Sequence, residues 1–250
     1  MTAVRVLQIT DTHLVGDPAG RQRGLVVLDS LRAVLTQALR EPTDLILLTG
    51  DIVHDDPRGY ERLREAFDPK IPVLCIPGNH DVPQSMVDIL DAPPFRIGGH
   101  HDIGAWRIVL LDSQQEGQVG GRLDECERRR LDKVLSEARQ PHALVVLHHP
   151  PIAMGSAWLD AIGLDNAADF FAVLDRHAQV RGVLWGHAHQ VLDDERPGPL
   201  GVVQLMATPS TCVQFRPKVP DFDIDDRPPG YRRLTLHEDG RIETTVGWLE

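Results

Sequence analysis

Leu45-Ile46-Leu47-Leu48-Thr49-Gly50-Asp51 decides how this chain folds. Four consecutive branched apolar residues make a strand buried on both faces, as in a parallel sheet, and the glycine lets the backbone turn sharply before presenting a carboxylate. Asp51 is thereby set at the mouth of a sheet. The same order of residues recurs where apolar strands run into Thr10-Asp11-Thr12-His13, Gly78-Asn79-His80-Asp81, His148-His149-Pro150-Pro151 and Gly186-His187-Ala188-His189. The functional crevice of an open α/β sheet lies outside the carboxyl ends of its strands. Five strand ends are therefore expected to converge there around two metal ions, with Asp51 shared between them.

Around these strand ends the periodicity of apolar residues predicts the rest of the chain. A first strand spans 4–9, and leucines at 25, 28, 31, 35 and 39 keep the spacing of a crossover helix. A short helix is expected over 60–67, a strand over 73–76, a helix over 84–90, strands over 95–97 and 106–111, and a helix over 124–138. A strand over 143–147, a helix from 167 to 178 and a strand over 180–185 follow. Beyond His189 the helical spacing stops, and short strands are expected over 202–206, 211–215, 231–236 and 242–248. A parallel, helical first part followed by a strand-rich tail predicts two sheets packed face to face with helices outside. No repeat or linker interrupts residues 1–250, so one domain is expected.

The composition bounds the function. A hydrophobic share of 42% and a charged share of 25% are those of a globular chain, and no apolar run reaches the roughly 18 residues of a membrane span. Met1-Thr2-Ala3-Val4-Arg5 leads into the first strand without an apolar signal core, so a cytoplasmic protein that does not bind membranes is expected. Cys75, Cys126 and Cys212 are widely spaced and outside any CxxC pattern, which predicts buried free thiols. A net charge of -11 argues against gripping polymeric nucleic acid, which needs clustered cations, but leaves a small anionic substrate open. Of the twelve histidines, His13, His54, His80, His148, His149, His187 and His189 lie in or beside the five strand-end segments. A lone histidine at a strand end is more often a hydrogen-bonded core or surface residue than a ligand. That plainer explanation has to hold independently at five places.

With these blocks in order, the chain resembles the calcineurin-like metallophosphoesterases, whose pattern is DxH, GD, GNH[DE], a histidine after a strand, and GHxH. The resemblance spans Asp11 to His189 and implies a four-layer α-β-β-α sandwich of two mixed sheets with two divalent cations. Carried over by position, Asp11, His13, Asp51 and His189 would hold one metal, and Asp51, Asn79, His148 and His187 the other. His148 is preferred to His149 because it directly follows the strand, which leaves His149 as a supporting residue. His80 would be the catalytic histidine, with Asp81 either orienting it or capping the next helix. His13, Asn79, His80 and His189 would also touch substrate. Imidazole and oxygen donors without a thiolate suit iron, manganese or zinc. Cations sharing a carboxylate would activate a bridging hydroxide for in-line attack on phosphorus.

Gly50-Asp51-Ile52-Val53-His54-Asp55 lacks the GDxxDRG extension of the Ser/Thr protein phosphatases. Gln8 to Leu14, Leu111 to Gln114, Ser156 to Asp160 and Ala207 to Phe215 are similar to blocks of the bacterial class III 3',5'-cyclic-AMP phosphodiesterases. This resemblance implies hydrolysis of cyclic AMP to 5'-AMP, with Thr208 to Phe215 lining the base and ribose pocket. Two alternatives stay open: a broad phosphodiesterase or phosphomonoesterase with the same metals, and a non-catalytic metal- or nucleotide-binding protein.

Overall fold

The strand over Leu45–Thr49 forms as its sequence requires, with all five residues buried. Leu45 and Leu47 face one apolar cluster and Ile46 and Leu48 another, the two-residue alternation of a strand sandwiched on both sides. The computed structural model describes residues 3–67 and 70–250.

In chain order the strands are β1 (Val4–Ile9), β2 (Arg21–Gln22), β3 (Leu25–Val26), β4 (Leu45–Thr49), β5 (Val73–Ile76), β6 (Phe95–Ile97), β7 (Gly99–Ile103), β8 (Trp106–Leu110), β9 (His142–Val146), β10 (Val180–Trp185), β11 (Leu192–Gly198), β12 (Gly201–Ala207), β13 (Gln214–Phe215), β14 (Ile224–Asp225), β15 (Gly230–Leu236) and β16 (Ile242–Trp248). The helices are α1 (Val27–Ala38), α2 (Gly59–Ala66), α3 (Pro83–Leu90), α4 (Glu125–Ser136), α5 (Ala157–Asp160) and α6 (Ala167–Leu174). One sheet has the order β16-β15-β1-β4-β5-β6 and the other β11-β12-β10-β9-β8-β7.

Both sheets are mixed. Strands β1, β4, β5 and β6 run parallel, as do β8, β9, β10 and β12, while β15, β16, β7 and β11 pair antiparallel with their neighbours. Val6, Leu47 and Leu74 of the first sheet meet Ile108, Val146 and Leu184 of the second in a shared core. The opposite face of the first sheet packs on Leu31 and Leu35 of α1, Leu63 of α2 and Met86 of α3. The opposite face of the second packs on Leu131 of α4 and Phe170 of α6. This is the expected α-β-β-α order, and it sets the carboxyl ends of the parallel strands from both sheets beside one another.

Several boundaries differ from the periodicity, each for a local reason. Leu25 opens no helix: Leu25 and Val26 pair with Gln22 and Arg21 in a hairpin, and α1 starts at Val27. Strands β7 and β11 sit at the edges of the second sheet, where Gly99-His100-His101 and Asp193-Asp194-Glu195-Arg196-Pro197 carry almost no apolar signal. Proline and charge are what a sheet edge tolerates. The strand expected over 211–215 shrinks to β13, which pairs with the two-residue strand β14 in the acidic segment that follows. The helix expected to reach 178 stops at Leu174. Helix α4 begins as expected, because Asp124 accepts a hydrogen bond from Glu127 N at 2.7 Å, a cap worth about 1 kcal/mol. Cys75 and Cys212 are buried free thiols, but Cys126 is exposed, on the outer side of α4.

Candidate metal centre

Five side chains reach the site from backbone that L-residues avoid. Asp11, His13, Asp51, His187 and His189 have φ of 53°, 46°, 48°, 61° and 48°. Each such residue costs about 1–2 kcal/mol, which the surrounding structure must offset. The offset is visible in backbone hydrogen bonds that tie the β1 end to the β4 end: Asp11 N to Gly50 O at 3.0 Å and His13 N to Asp51 O at 2.9 Å. Gly50, at φ 92°, and Gly78 permit close approaches. A Cβ on the first would run into the His148 ring, and on the second into the Asp51 carboxylate.

The donors form two groups that share Asp51. On one side, His189 Nε2 lies 3.1 Å from His13 Nε2 and 3.4 Å from Asp11 Oδ1, and His13 Nε2 lies 3.9 Å from Asp51 Oδ2. On the other, His148 Nε2 lies 3.5 Å from Asp51 Oδ1 and 3.3 Å from His187 Nδ1, which is 3.0 Å from Asn79 Oδ1. Donors held about 2.1 Å from one ion at octahedral or tetrahedral angles are about 3.0–3.4 Å apart. The two groups have close to that spacing.

Tautomers strengthen the fit. His148 Nδ1 donates to Thr49 O at 2.7 Å and His189 Nδ1 to Val213 O at 2.6 Å, so each turns the lone pair of Nε2 inward. Lone pairs aimed at carboxylate oxygens repel unless a proton or a cation lies between them. Without a metal a proton does this at His148: burial opposes the charge, but the Asp51 carboxylate outweighs it and lifts the imidazole to about 9. Burial likewise opposes ionisation of Asp51, yet charged His148, which also hydrogen-bonds to it, holds it well below the usual carboxylate range. His13, with burial as the main cause, is pushed down to about 3, and His187 falls well below its ordinary value because of burial and the charge on neighbouring His148. The residues present fit a pair of divalent cations.

The supporting residues sit differently from their order in the chain. Asp81 neither orients His80 nor caps α3, whose first residue is preceded by Val82 with no side-chain cap. Its carboxylate accepts from Gly78 N at 2.8 Å, Ile52 N at 3.1 Å, Val53 N at 3.2 Å and the Tyr60 hydroxyl at 2.8 Å. Asp81 thus braces the two loops that carry Asp51 and Asn79, while burial and the Asp51 charge raise it to about 6. The residue beside the His80 ring is Asp55, with Oδ2 at 3.2 Å from Nδ1. His80 N donates to Asp51 Oδ1 at 2.9 Å.

His149 has both nitrogens engaged, Nδ1 accepting from Ser113 Oγ at 2.8 Å and Nε2 donating to Val119 O at 3.1 Å. His148 therefore is the member of the pair that faces Asp51. His54, which the sequence placed beside a strand-end segment without a role, stacks on His80 with ring centres 4.4 Å apart and sets Nδ1 3.2 Å from His13 Nδ1. The only signal for His54 and Asp55 was their position three and four residues after Asp51.

A cavity of about 280 Å³ opens above these groups, and His13, Asn79, His80 and His189 all line it. Cys212, Val213 and Phe215 line it too, with Phe215 stacked on His189 at 3.9 Å. Thr208 does not: it is fully buried and bonds Gln8 and Arg232 between the sheets, which corrects the expectation that the stretch from Thr208 lines the pocket throughout. Ser113 and Gln114 act as props, the latter donating to Asp81 O at 2.8 Å.

Comparison with known proteins agrees with this geometry. A 250-residue alignment covering 98% of this chain and 89% of the other gives 38% identity to a Vibrio vulnificus (strain CMCP6) protein named 3',5'-cyclic adenosine monophosphate phosphodiesterase CpdA. A Pseudomonas aeruginosa protein of the same name is 40% identical, over 99% of this chain and 91% of its own. The fold is similar to that of a dimetal phosphatase from Danio rerio, with a TM-score of 0.65 at 16% identity and full coverage of both chains. The profile of the calcineurin-like phosphoesterases matches residues 4–191, the stretch that holds every donor described above. The chain belongs to the calcineurin-like phosphoesterase family.

Proposed function

We propose that this protein is a dimetal phosphodiesterase that hydrolyses 3',5'-cyclic AMP to 5'-AMP. The observation that carries the reading is Asp51, whose Oδ2 faces the first donor group and whose Oδ1 faces the second. It is supported by 38% and 40% identity, over nearly the whole chain, to proteins named as cyclic AMP phosphodiesterases. In this reading Asp11, His13, Asp51 and His189 hold one cation, and Asp51, Asn79, His148 and His187 the other. Imidazole and oxygen donors without a thiolate suit iron, manganese or zinc. When bound, such a pair lowers the pKa of water and neutralises charge on the phosphoryl oxygens.

The chain's own residues do the rest. With Oδ1 turned to His187, Asn79 has its amide NH₂ left to donate to a phosphoryl oxygen. With Nδ1 turned to Asp55, His80 has Nε2 left to hand a proton to the departing 3' oxygen. Cleavage of that bond leaves the phosphate on the 5' oxygen. Three free thiols suit the reducing cytoplasm, and a net charge of -11 suits a small nucleotide partner rather than a polymer.

The test is turnover of cyclic AMP, cyclic GMP, 2',3'-cyclic AMP and a phosphomonoester by the purified protein supplied with iron, manganese or zinc. The highest kcat/KM is expected for 3',5'-cyclic AMP, and Asp51→Ala is expected to lose both metal and turnover. Equal or faster cleavage of the monoester, or no turnover with any of the three metals, would overturn the reading.

A further inference from the structure

The cavity above the donors is chemically divided. Its floor is the ionic cluster of imidazoles and carboxylates, and its side is apolar: Trp158, Phe215 and Phe222 meet edge to face, with ring centres 5.1 to 5.4 Å apart. Phe215 links the two parts, since it lies parallel to the ring of His189. Among the described residues five large apolar side chains are well exposed, and two of them, Phe222 at 42% and Val119 at 52%, line this one cavity. Apolar area left open beside a charged floor is a cost unless a ligand covers it.

A cation completes the aromatic side. Arg23 sits at the tip of the β2–β3 hairpin, where Arg23 and Gly24 have φ of 51° and 90°, the left-handed pair of a tight two-residue turn. Its guanidinium lies 5.0 Å from the centre of the Phe222 ring and forms no ion pair among the described residues. The other arginine side chains near an aromatic ring, Arg196 and Arg227, are paired with Asp175 and Asp225. Arg23 is thus an unneutralised cation at the mouth of a pocket in a protein of net charge -11.

We propose that the aromatic side, tipped by Arg23, is the subsite that binds the nucleobase, and that Phe222 and Arg23 set the preference for a nucleotide over phosphodiesters that carry no base. This rests on the reading of the protein as a cyclic-nucleotide phosphodiesterase. A ligand that covers floor and side together joins an anion to a flat, weakly polar ring at the distance of one sugar. A nucleotide has that form. Aromatic rings hold bases by stacking, and the guanidinium adds attraction for the π face and for ring nitrogens.

The test compares cyclic AMP with the base-free ribose 3',5'-cyclic phosphate, which presents the same diester to the floor and nothing to the aromatic side. Phe222→Ala and Arg23→Asn, the latter chosen because asparagine tolerates the left-handed turn, are each expected to lower kcat/KM for cyclic AMP about tenfold, mainly through KM. Both should leave the base-free ester within about twofold of the wild type. Phe222→Leu, which keeps the bulk and loses the ring, should behave like the alanine variant and guards against an effect of folding. Equal losses on both substrates, or no loss on either, would overturn the subsite while cyclic AMP turnover by the wild type stands. If the wild type cleaves neither cyclic ester, the cyclic-nucleotide reading fails and the subsite with it.

Discussion

His80 and Asp81 are neighbours in sequence and face opposite ways in the fold. Asp81 points inward to the amides of the β4 and β5 loops, while the His80 ring points to the cavity mouth and to Asp55, twenty-five residues earlier. Sequence adjacency named the wrong carboxylate, because the partner of a side chain at a strand end is decided by which loops meet there. The ligand candidates were legible for the opposite reason: in each block the donor sits within a few residues of an apolar strand, so the strand's register alone places it. Replacing His80 by Asn is expected to spare metal content and lower kcat by a factor of about 10² to 10⁴, the usual contribution of a positioned acid. Asp55→Asn should lower kcat less, by about tenfold, since it acts only through His80. Elemental analysis beside steady-state kinetics separates these outcomes. Loss of metal in the His80 variant would make it a ligand instead.

Elements were legible in proportion to their burial. Strands β1, β4, β5 and β10 carry runs of apolar residues that no other element explains, and their limits agree with the pattern. Edge strands β7 and β11 hold charge and proline, so their pairing is set by a neighbour that the local sequence does not contain. The turn after β4 shows how an element's end is made for the site. Gly50 leaves the sheet at positive φ in a space that the His148 ring closes, so the glycine sets both the backbone and the gap between two donors. Gly50→Ala is expected to cost about 1–3 kcal/mol in denaturant unfolding, from the left-handed backbone and displacement of the ring. It should also weaken metal binding although it removes no donor. Unchanged stability with full metal content would show that the turn relaxes without moving His148.

On the scale of the whole molecule the donor cluster is a joint between layers. Asp11, His13, Asp51 and Asn79 come from the ends of β1, β4 and β5 in one sheet, and His148, His187 and His189 from the ends of β9 and β10 in the other. Cations held between them would bind the folded chain and not the unfolded one, which stabilises by about 2.7 kcal/mol at a free metal concentration of a hundred times Kd. The size of that effect depends on pH in a direction the geometry fixes. His148 in the metal-free protein is raised to about 9. Its charged pairing with Asp51 therefore contributes stability that is fully present below the unfolded value of about 6.5 and is lost as pH rises through the folded one. A cation needs the same nitrogen deprotonated, so binding it displaces that proton and grows tighter over the same window. Thermal unfolding with and without added manganese should show a metal-induced rise in Tm that is larger at about pH 8.5 than at about pH 6.5. A rise of the same size at both values would mean that metal binding displaces no proton from His148. Unchanged Tm at both would mean that the two sheets are not joined through a metal at all.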